Sequence, residues 1–353
     1  MRKLHNPRRV ERLLRSAIDA FELDLEDTPV LTEAASGPFV VTPLLAALAG
    51  SPRVVACTRD SPYGGAAEVA SNTQEWAQRL GVAAALDVSS APAADHAPDA
   101  LLVTNLGFVR PIDEAFVSRL PPGAAVALMW ETWEHRPGDV DVAACRAHDV
   151  PVLGTDESDP RLEQFGYVGL VAVRLLLEAE VEVYRSRVAV VGTDPFGAAV
   201  AQAVESLGGE VVRLVPEHPG WTAPLAAAPG PVDAVVLAEH RLATGLVGGA
   251  DGLDPAWLAS LGTPLVHLSG AVDDSLLEAA GVPKLPERRV PPRVMTVTTD
   301  LVGPRPVVDL HAAGLRVGQA LVEGMRRFGD PAKAEAYALE TSPAMGWEPN
   351  PGR

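Results

Sequence analysis

The sequence predicts an α/β protein built from two doubly wound, Rossmann-like parallel-sheet domains joined by long crossing helices, and three observations carry that expectation. Short apolar runs alternate with amphipathic helical stretches along most of the chain, the grammar that winds helices onto both faces of a parallel sheet. The stretch Arg187–Val215, RVAVVGTDPFGAAVAQAVESLGGEVVRLV, reads as strand, glycine turn, helix and strand. A chain of 353 residues, 47% hydrophobic, is too long for one ordinary core and apolar enough to fill two.

Taken in order, Pro7–Leu25 repeats Val10, Leu13, Leu14, Ile18 and Phe21 at helical spacing and predicts an outer helix of the first domain. Strands are predicted at Pro29–Thr32, Arg53–Thr58, Val82–Leu86, Ala100–Thr104, Ala124–Trp130 and Val150–Gly154, with helices at Phe39–Leu48, Glu68–Leu80, Ile112–Leu120 and Val140–Ala147. A long helix over Leu162–Tyr184 leads into the second domain. Its strands are Val188–Val191, the run from Val211, Ala234–Leu237, Leu265–Leu268 and, last, Val294–Thr298. Pro219–Pro231 and Leu246–Gly252 read as loops, and Val308–Phe328 as a return helix. The predicted division is a substrate domain over 1–160, a nucleotide-binding domain over 161–305, a return helix over 306–330 packing across the domains, and a weakly ordered tail over 331–353. The two long helices would form a hinge over a cleft.

The glycine turn departs from G-x-G-x-x-G. Gly192 and Gly197 fill the first and third glycine places, for the turn and for close helix packing, while the second is Asp194, whose carboxylate would crowd and repel a pyrophosphate. Asp194 followed by Pro195 also reads as a helix start with the carboxylate as N-cap. The next strand ends at Val215 and Pro216 with no acid for a ribose hydroxyl; Glu217 stands just beyond. The candidate dinucleotide set is Gly192, Thr193, Asp194, Pro195, Phe196, Gly197 and Glu217, for NAD or NADP.

A net charge of -17 repels phosphate backbones and anionic lipid, which argues against nucleic acid and membrane as partners. The basic cluster Arg2, Lys3, Arg8 and Arg9 reads as a solvated helix end. Charge interrupts the first residues throughout, no apolar run reaches membrane-spanning length, and a cytoplasmic location is expected. Cys57 and Cys145 make no metal spacing and read as small core residues. Leu170, Val171, Leu175 and Leu176, with Leu315, Val317 and Leu321, exceed one buried stripe and predict a homodimer through the second domain.

Ligands of open parallel sheets sit beyond the carboxyl ends of strands, and here those ends are polar. They place Glu33 after the first strand, Arg59, Asp60 and Tyr63 after the second, Asn105 after the fourth, and Trp130 and Glu131 after the fifth. Arg59 is a candidate anion anchor. Glu131, between two tryptophans, is a candidate general acid or base with a raised pKa. In the second half Glu239 and His240 follow one strand and Ser269 another. His240 would titrate near neutrality and exchange a proton; His311 at the return helix, oriented by Asp309, is a further candidate. Arg59, Asn105, Glu131, His240 and Ser269 are expected to line one cavity, whereas His267, inside a strand, reads as packing.

A first α/β domain, a bridging helix, a Rossmann domain and a return helix, with Gly192–Gly197 and SGAVDD at Ser269–Asp274, together resemble the formate/glycerate dehydrogenase superfamily, which includes the D-2-hydroxyacid dehydrogenases and is near adenosylhomocysteinase. The resemblance implies NAD(P)-linked redox chemistry, and the first reading is an oxidoreductase acting in the interdomain cleft on a small polar metabolite, carboxylated or not. Ser269 stands where the hydroxyacid dehydrogenases carry a substrate-binding arginine, and the family's Glu and His are not found in their expected order. The alternative is a non-redox lyase, isomerase or small-molecule-binding protein on the same scaffold.

Overall fold

A computed structural model describes residues 4–136, 138–223, 225 and 230–347. The chain divides into two compact units, 1–162 with 303–353 as unit 1 and 163–302 as unit 2.

Unit 1 is organised on a seven-stranded sheet. Its strands are β1 (Val30–Glu33), β2 (Val54–Cys57), β3 (Leu86–Ser89), β4 (Leu102–Thr104), β5 (Ala125–Ala127) and β6 (Val152–Thr155), in the order β3-β2-β1-β4-β5-β6, all parallel. A short C-terminal strand, Ala344–Met345, adds to β6 antiparallel. Successive residues of β1 enter different cores, Val30 one and Leu31 the other, as a sheet covered on both faces requires. The helices Pro7–Phe21, Val41–Leu48 and Arg305–Phe328 build the first of these cores.

Unit 2 carries a five-stranded parallel sheet. β7 (Arg187–Val191), β8 (Glu210–Leu214), β9 (Ala234–Ala238), β11 (Leu265–Ser269) and β13 (Lys284–Leu285) run in the order β13-β11-β9-β7-β8. The small pair β10 (Gly245–Val247) and β12 (Ala271–Val272) forms a separate ribbon. Along β7, Val188 and Val190 face one core and Ala189 and Val191 the other. The helices Gln164–Glu178 and Phe196–Ser206 pack on the first of these faces.

Several expectations are corrected. The third strand begins at Leu86, because Gly81 turns left-handed and the Val82 amide bonds the Ala77 carbonyl, spending Val82–Ala85 on ending the preceding helix. The predicted helix over Ile112–Leu120 shortens to Glu114–Val117, started by Asp113. The long helix stops at Glu178, where the Val181 amide folds back on Leu176 and left-handed residues follow at Glu180 and Val183. Val294–Thr298 is no strand: Thr296 bonds the Leu268 carbonyl at 2.7 Å, but the two-residue β13 takes the ladder. Leu246 and Val247 belong to β10 rather than to a loop. Part of the predicted Pro219–Pro231 loop and the ends of both termini lie outside the described residues.

The return helix Arg305–Phe328 belongs to unit 1 and lies against its sheet; a Cβ at Gly318 would collide with Leu102. Beyond Gly329, Asp330 caps a further helix, Pro331–Thr341, so most of the expected loose tail is ordered. The apolar surplus of the long helices is mostly buried inside each unit: Val171, Leu175 and Leu176 in unit 2, Leu315, Val317 and Leu321 in unit 1. No helix among the described residues is long and apolar enough to cross a membrane.

Candidate functional site

In unit 2 the strand order reverses direction between β7 and β9, and such a crossover opens a crevice at the carboxyl ends of the two strands. Gly192 ends β7 there. A Cβ on Gly192 would strike the Ala238 carbonyl and one on Gly197 the Gly192 carbonyl, so close backbone approach fixes both glycines. Glu239 follows β9 and is fully buried. Its carboxylate accepts the Thr193 amide at 2.8 Å and hydroxyl at 3.1 Å, and the Arg241 and Leu242 amides at 2.7 and 2.9 Å. Four donors around one carboxylate offset its desolvation. The Thr193 amide is therefore turned to the protein.

Asp194 is not a helix cap. The helix starts at Phe196 with Pro195 at its N-cap position and no side-chain cap hydrogen bond. Arg213, reaching back from β8, takes the Asp194 carboxylate at 3.0 Å and the Gly192 carbonyl at 3.3 Å. A charged partner outcompetes the helix amides for a side chain 69% exposed. Glu217 is exposed beyond β8 and makes no ion pair among the described residues.

His240 is buried and stacked on Phe196, with centroids 4.2 Å apart and planes at 15°. Burial pushes its imidazole down to about 4, with Arg241 adding to the fall against Glu239. The expected titration near neutrality is thereby corrected: at pH 7 the ring is neutral, because desolvation disfavours the cation. Ser269 ends β11, its carbonyl accepting the Glu239 amide at 3.1 Å. Its buried hydroxyl has no partner among the described residues. His267 packs as expected, with Nε2 2.9 Å from the Gly270 carbonyl.

In unit 1 the reversal falls between β1 and β4. Glu33 ends β1, buried, accepting the Phe108 amide at 3.1 Å. Burial raises its carboxyl pKa against the pull of Arg110 and Arg59. Arg59 donates to the Gly107 carbonyl at 3.0 Å and lies 5.3 Å from the Phe108 ring centroid. Arg110 pairs with Asp139 and lies 5.2 Å from the Trp130 ring centroid. Asn105 accepts the Met129 amide at 2.9 Å, leaving its Nδ2 without a partner among the described residues; the Trp130 Nε1 and the Thr58 hydroxyl are in the same state. Three unspent buried polar groups thus follow β2, β4 and β5.

Asp60 accepts the Ala66 amide at 2.8 Å and starts the next helix, while Tyr63, 66% exposed, tips a turn closed by Ser61 and Gly64. Both serve the turn. Glu131 is not a solitary raised carboxyl. It forms a capping box with Glu134, accepts the Trp133 indole N–H and receives the Glu157 amide at 3.3 Å. Burial, then the charge of Glu131, pushes Glu134 up to about 7; burial followed by Glu134 and Glu131 holds Glu157 well above the usual range. Close carboxylates cannot all ionise together, so this group retains protons near neutral pH.

His311 is corrected as well. It lies in the core of unit 1, its Nδ1 2.5 Å from the Thr42 hydroxyl and its ring beside Phe39, and burial pushes it down to about 4. Asp309 faces Arg305 at 3.8 Å instead of orienting it. Sequence reasoning missed Arg110 and Arg213; Glu134 and Glu157 lie in the polar strand-end stretches it singled out, without a role of their own. An arginine inside the apolar run EVVRLV was the available signal for Arg213; Arg110 stood in a loop whose folding back nothing local announces. No group of His, Cys, Asp and Glu among the described residues could hold a metal ion.

No family model matches the chain, and no curated protein sequence matches it. Solved structures do. Dipicolinate synthase A chain from Bacillus subtilis superposes with a TM-score of 0.51 at 12% identity, covering 86% of this chain and 99% of its own. The apo-structure of D-lactate dehydrogenase from Escherichia coli gives 0.50 at 11% identity, covering 84% and 97%. With two Rossmann-like parallel sheets and a glycine turn at the β7–β9 crossover, the chain shares the α/β fold of these two structures.

Proposed function

We propose that the protein is a nicotinamide-dinucleotide-dependent oxidoreductase acting on a small polar, carboxylated metabolite. The observation that carries this reading is the Gly192–Gly197 turn at the β7–β9 crossover, where both glycines are demanded by backbone contact and Arg213 sets a positive charge beside Asp194. Gly192, Thr193, Asp194, Pro195, Phe196 and Gly197 would hold the dinucleotide, with Glu217 as the nearest acid for a ribose. Bound there, the nicotinamide would supply or accept a hydride. The Glu131, Glu134 and Glu157 group, which retains protons near neutral pH, is suited to give one, while His240, neutral at pH 7, stacks on Phe196 of the turn. Arg59 would anchor the substrate's carboxylate. The fold likeness to a D-lactate dehydrogenase supports the same reading.

One observation favours a second reading, a non-redox enzyme or small-molecule-binding protein: Glu239 consumes the Thr193 amide, and Asp194 adds negative charge at the turn. Titration with NADH and with NADPH, read by nicotinamide fluorescence, separates the two. Saturable binding of either supports the oxidoreductase; folded protein that binds neither supports the second reading.

A further inference from the structure

A cavity of about 410 Å³ opens in unit 1 beyond the carboxyl ends of β2 and β3, roofed by the loop that follows β4. Small-molecule sites run from about 300 to 1,000 Å³. Its walls are of two kinds. Ala91, Pro92, Phe108 and Phe116 supply apolar surface, and Arg59 and Arg110 supply two guanidinium groups from opposite chain segments.

The charge is only partly spent inside the protein. Arg110 is paired with Asp139, but Arg59 meets no carboxylate within ion-pair distance among the described residues; its contacts are the Gly107 carbonyl and the Phe108 ring. Asp113, also on the wall, accepts the Phe116 amide at 3.0 Å through one carboxylate oxygen. Thr58, a third wall residue, is 3% exposed, and its hydroxyl is closed off from solvent with no partner among the described residues. A guanidinium without a carboxylate partner at a cavity wall selects a planar anion.

We propose that this cavity binds a small organic acid with an apolar body, its carboxylate on Arg59 and Arg110 and its body against Phe108 and Phe116. The assignment deepens the substrate side of the function proposed above. It does not require a dinucleotide in unit 2.

The test is calorimetric titration of the full chain with benzoate, acetate and inorganic phosphate, without nucleotide, beside a separate NADH titration. Benzoate should bind at millimolar concentration or below and more tightly than acetate, and Arg59→Gln and Arg110→Gln should each weaken it at least tenfold. Arg59 is exposed, so Arg59→Gln decides the matter if Arg110→Gln fails to fold. Benzoate binding equal in wild type and Arg59→Gln, or none in wild type, overturns the proposal, and so does phosphate binding without benzoate binding. NADH binding lost while Arg59-dependent benzoate binding persists would count against the oxidoreductase and leave this site standing.

Discussion

The buried carboxylate of Glu239 accepts the amide of Thr193 at 2.8 Å, tying the end of β9 to the glycine turn after β7. Glu239→Gln keeps the shape but presents an N–H where every neighbour is already a donor. Leaving a buried donor unmatched costs about 1–3 kcal/mol. Urea unfolding should show that loss, while Glu205→Gln, on the adjoining helix and outside this network, should leave the midpoint unchanged.

Asp194 is a surface ion-pair partner of Arg213, and exposed pairs contribute only about 0–1 kcal/mol. Asp194→Gly should therefore barely move the melting temperature. Removing its charge and bulk from the turn should tighten NADH or NADPH binding severalfold. Unchanged affinity, in a protein that binds nucleotide at all, would show that the phosphates do not pass this turn.

Glu134 has its pKa raised from 4.5 to about 7. The native state then holds a proton that the unfolded chain has lost, so this contribution to stability is full below 4.5 and disappears as pH rises through about 7. Glu134→Gln, which retains an acceptor for the Glu131 amide, should melt higher than wild type at pH 8 by a few degrees, roughly what 1 kcal/mol gives in a unit of this size. Near pH 4.5 the difference should vanish.

Three histidines run the other way. His240, His267 and His311 are each pushed from 6.5 down to about 4 by burial. Their contribution is present above 6.5 and is lost as pH falls through about 4. Imidazole carbon–proton NMR signals of these three should stay fixed between pH 8 and 6. A midpoint near 6.5 for His240 would place it in water rather than against Phe196.

Leu170 and Leu177 of the helix Gln164–Glu178 are 48% and 57% exposed, and Tyr184 and Leu207 of the same unit are exposed too. A two-fold dimer through this surface is expected. Sedimentation at micromolar concentration should give a dimer that Leu177→Lys converts to monomer; wild-type monomer ends the idea.

The unit 2 nucleus was legible because a strand buried on both faces must be apolar throughout, and Val188–Val191 is. The strand-end positions of Arg59 and Glu33 were legible for a related reason: parallel topology sends every strand end to one side. The role of Asp194 was not, since the cap reading uses only neighbouring residues while Arg213 arrives through the β7–β8 pairing. Glu131 looked solitary because Glu157 reaches it from the next strand's end. His311 reads identically on a solvated helix start and in a core; only the packing of Val41–Leu48 against the return helix decides. The two-residue β13 is too short to leave any periodic trace.

The strand Ala344–Met345 covers β6, and its neighbours fasten it: the Trp347 indole donates to the Val152 carbonyl at 2.7 Å and the Thr132 hydroxyl to the Gly346 carbonyl at 2.9 Å. An uncovered parallel edge offers unpaired amides and carbonyls to any other chain. Cutting the protein after Phe328 would strip that cover from an apolar strand. Such a truncation should form β-rich aggregates during expression, even though it removes none of the residues assigned to nucleotide or acid binding.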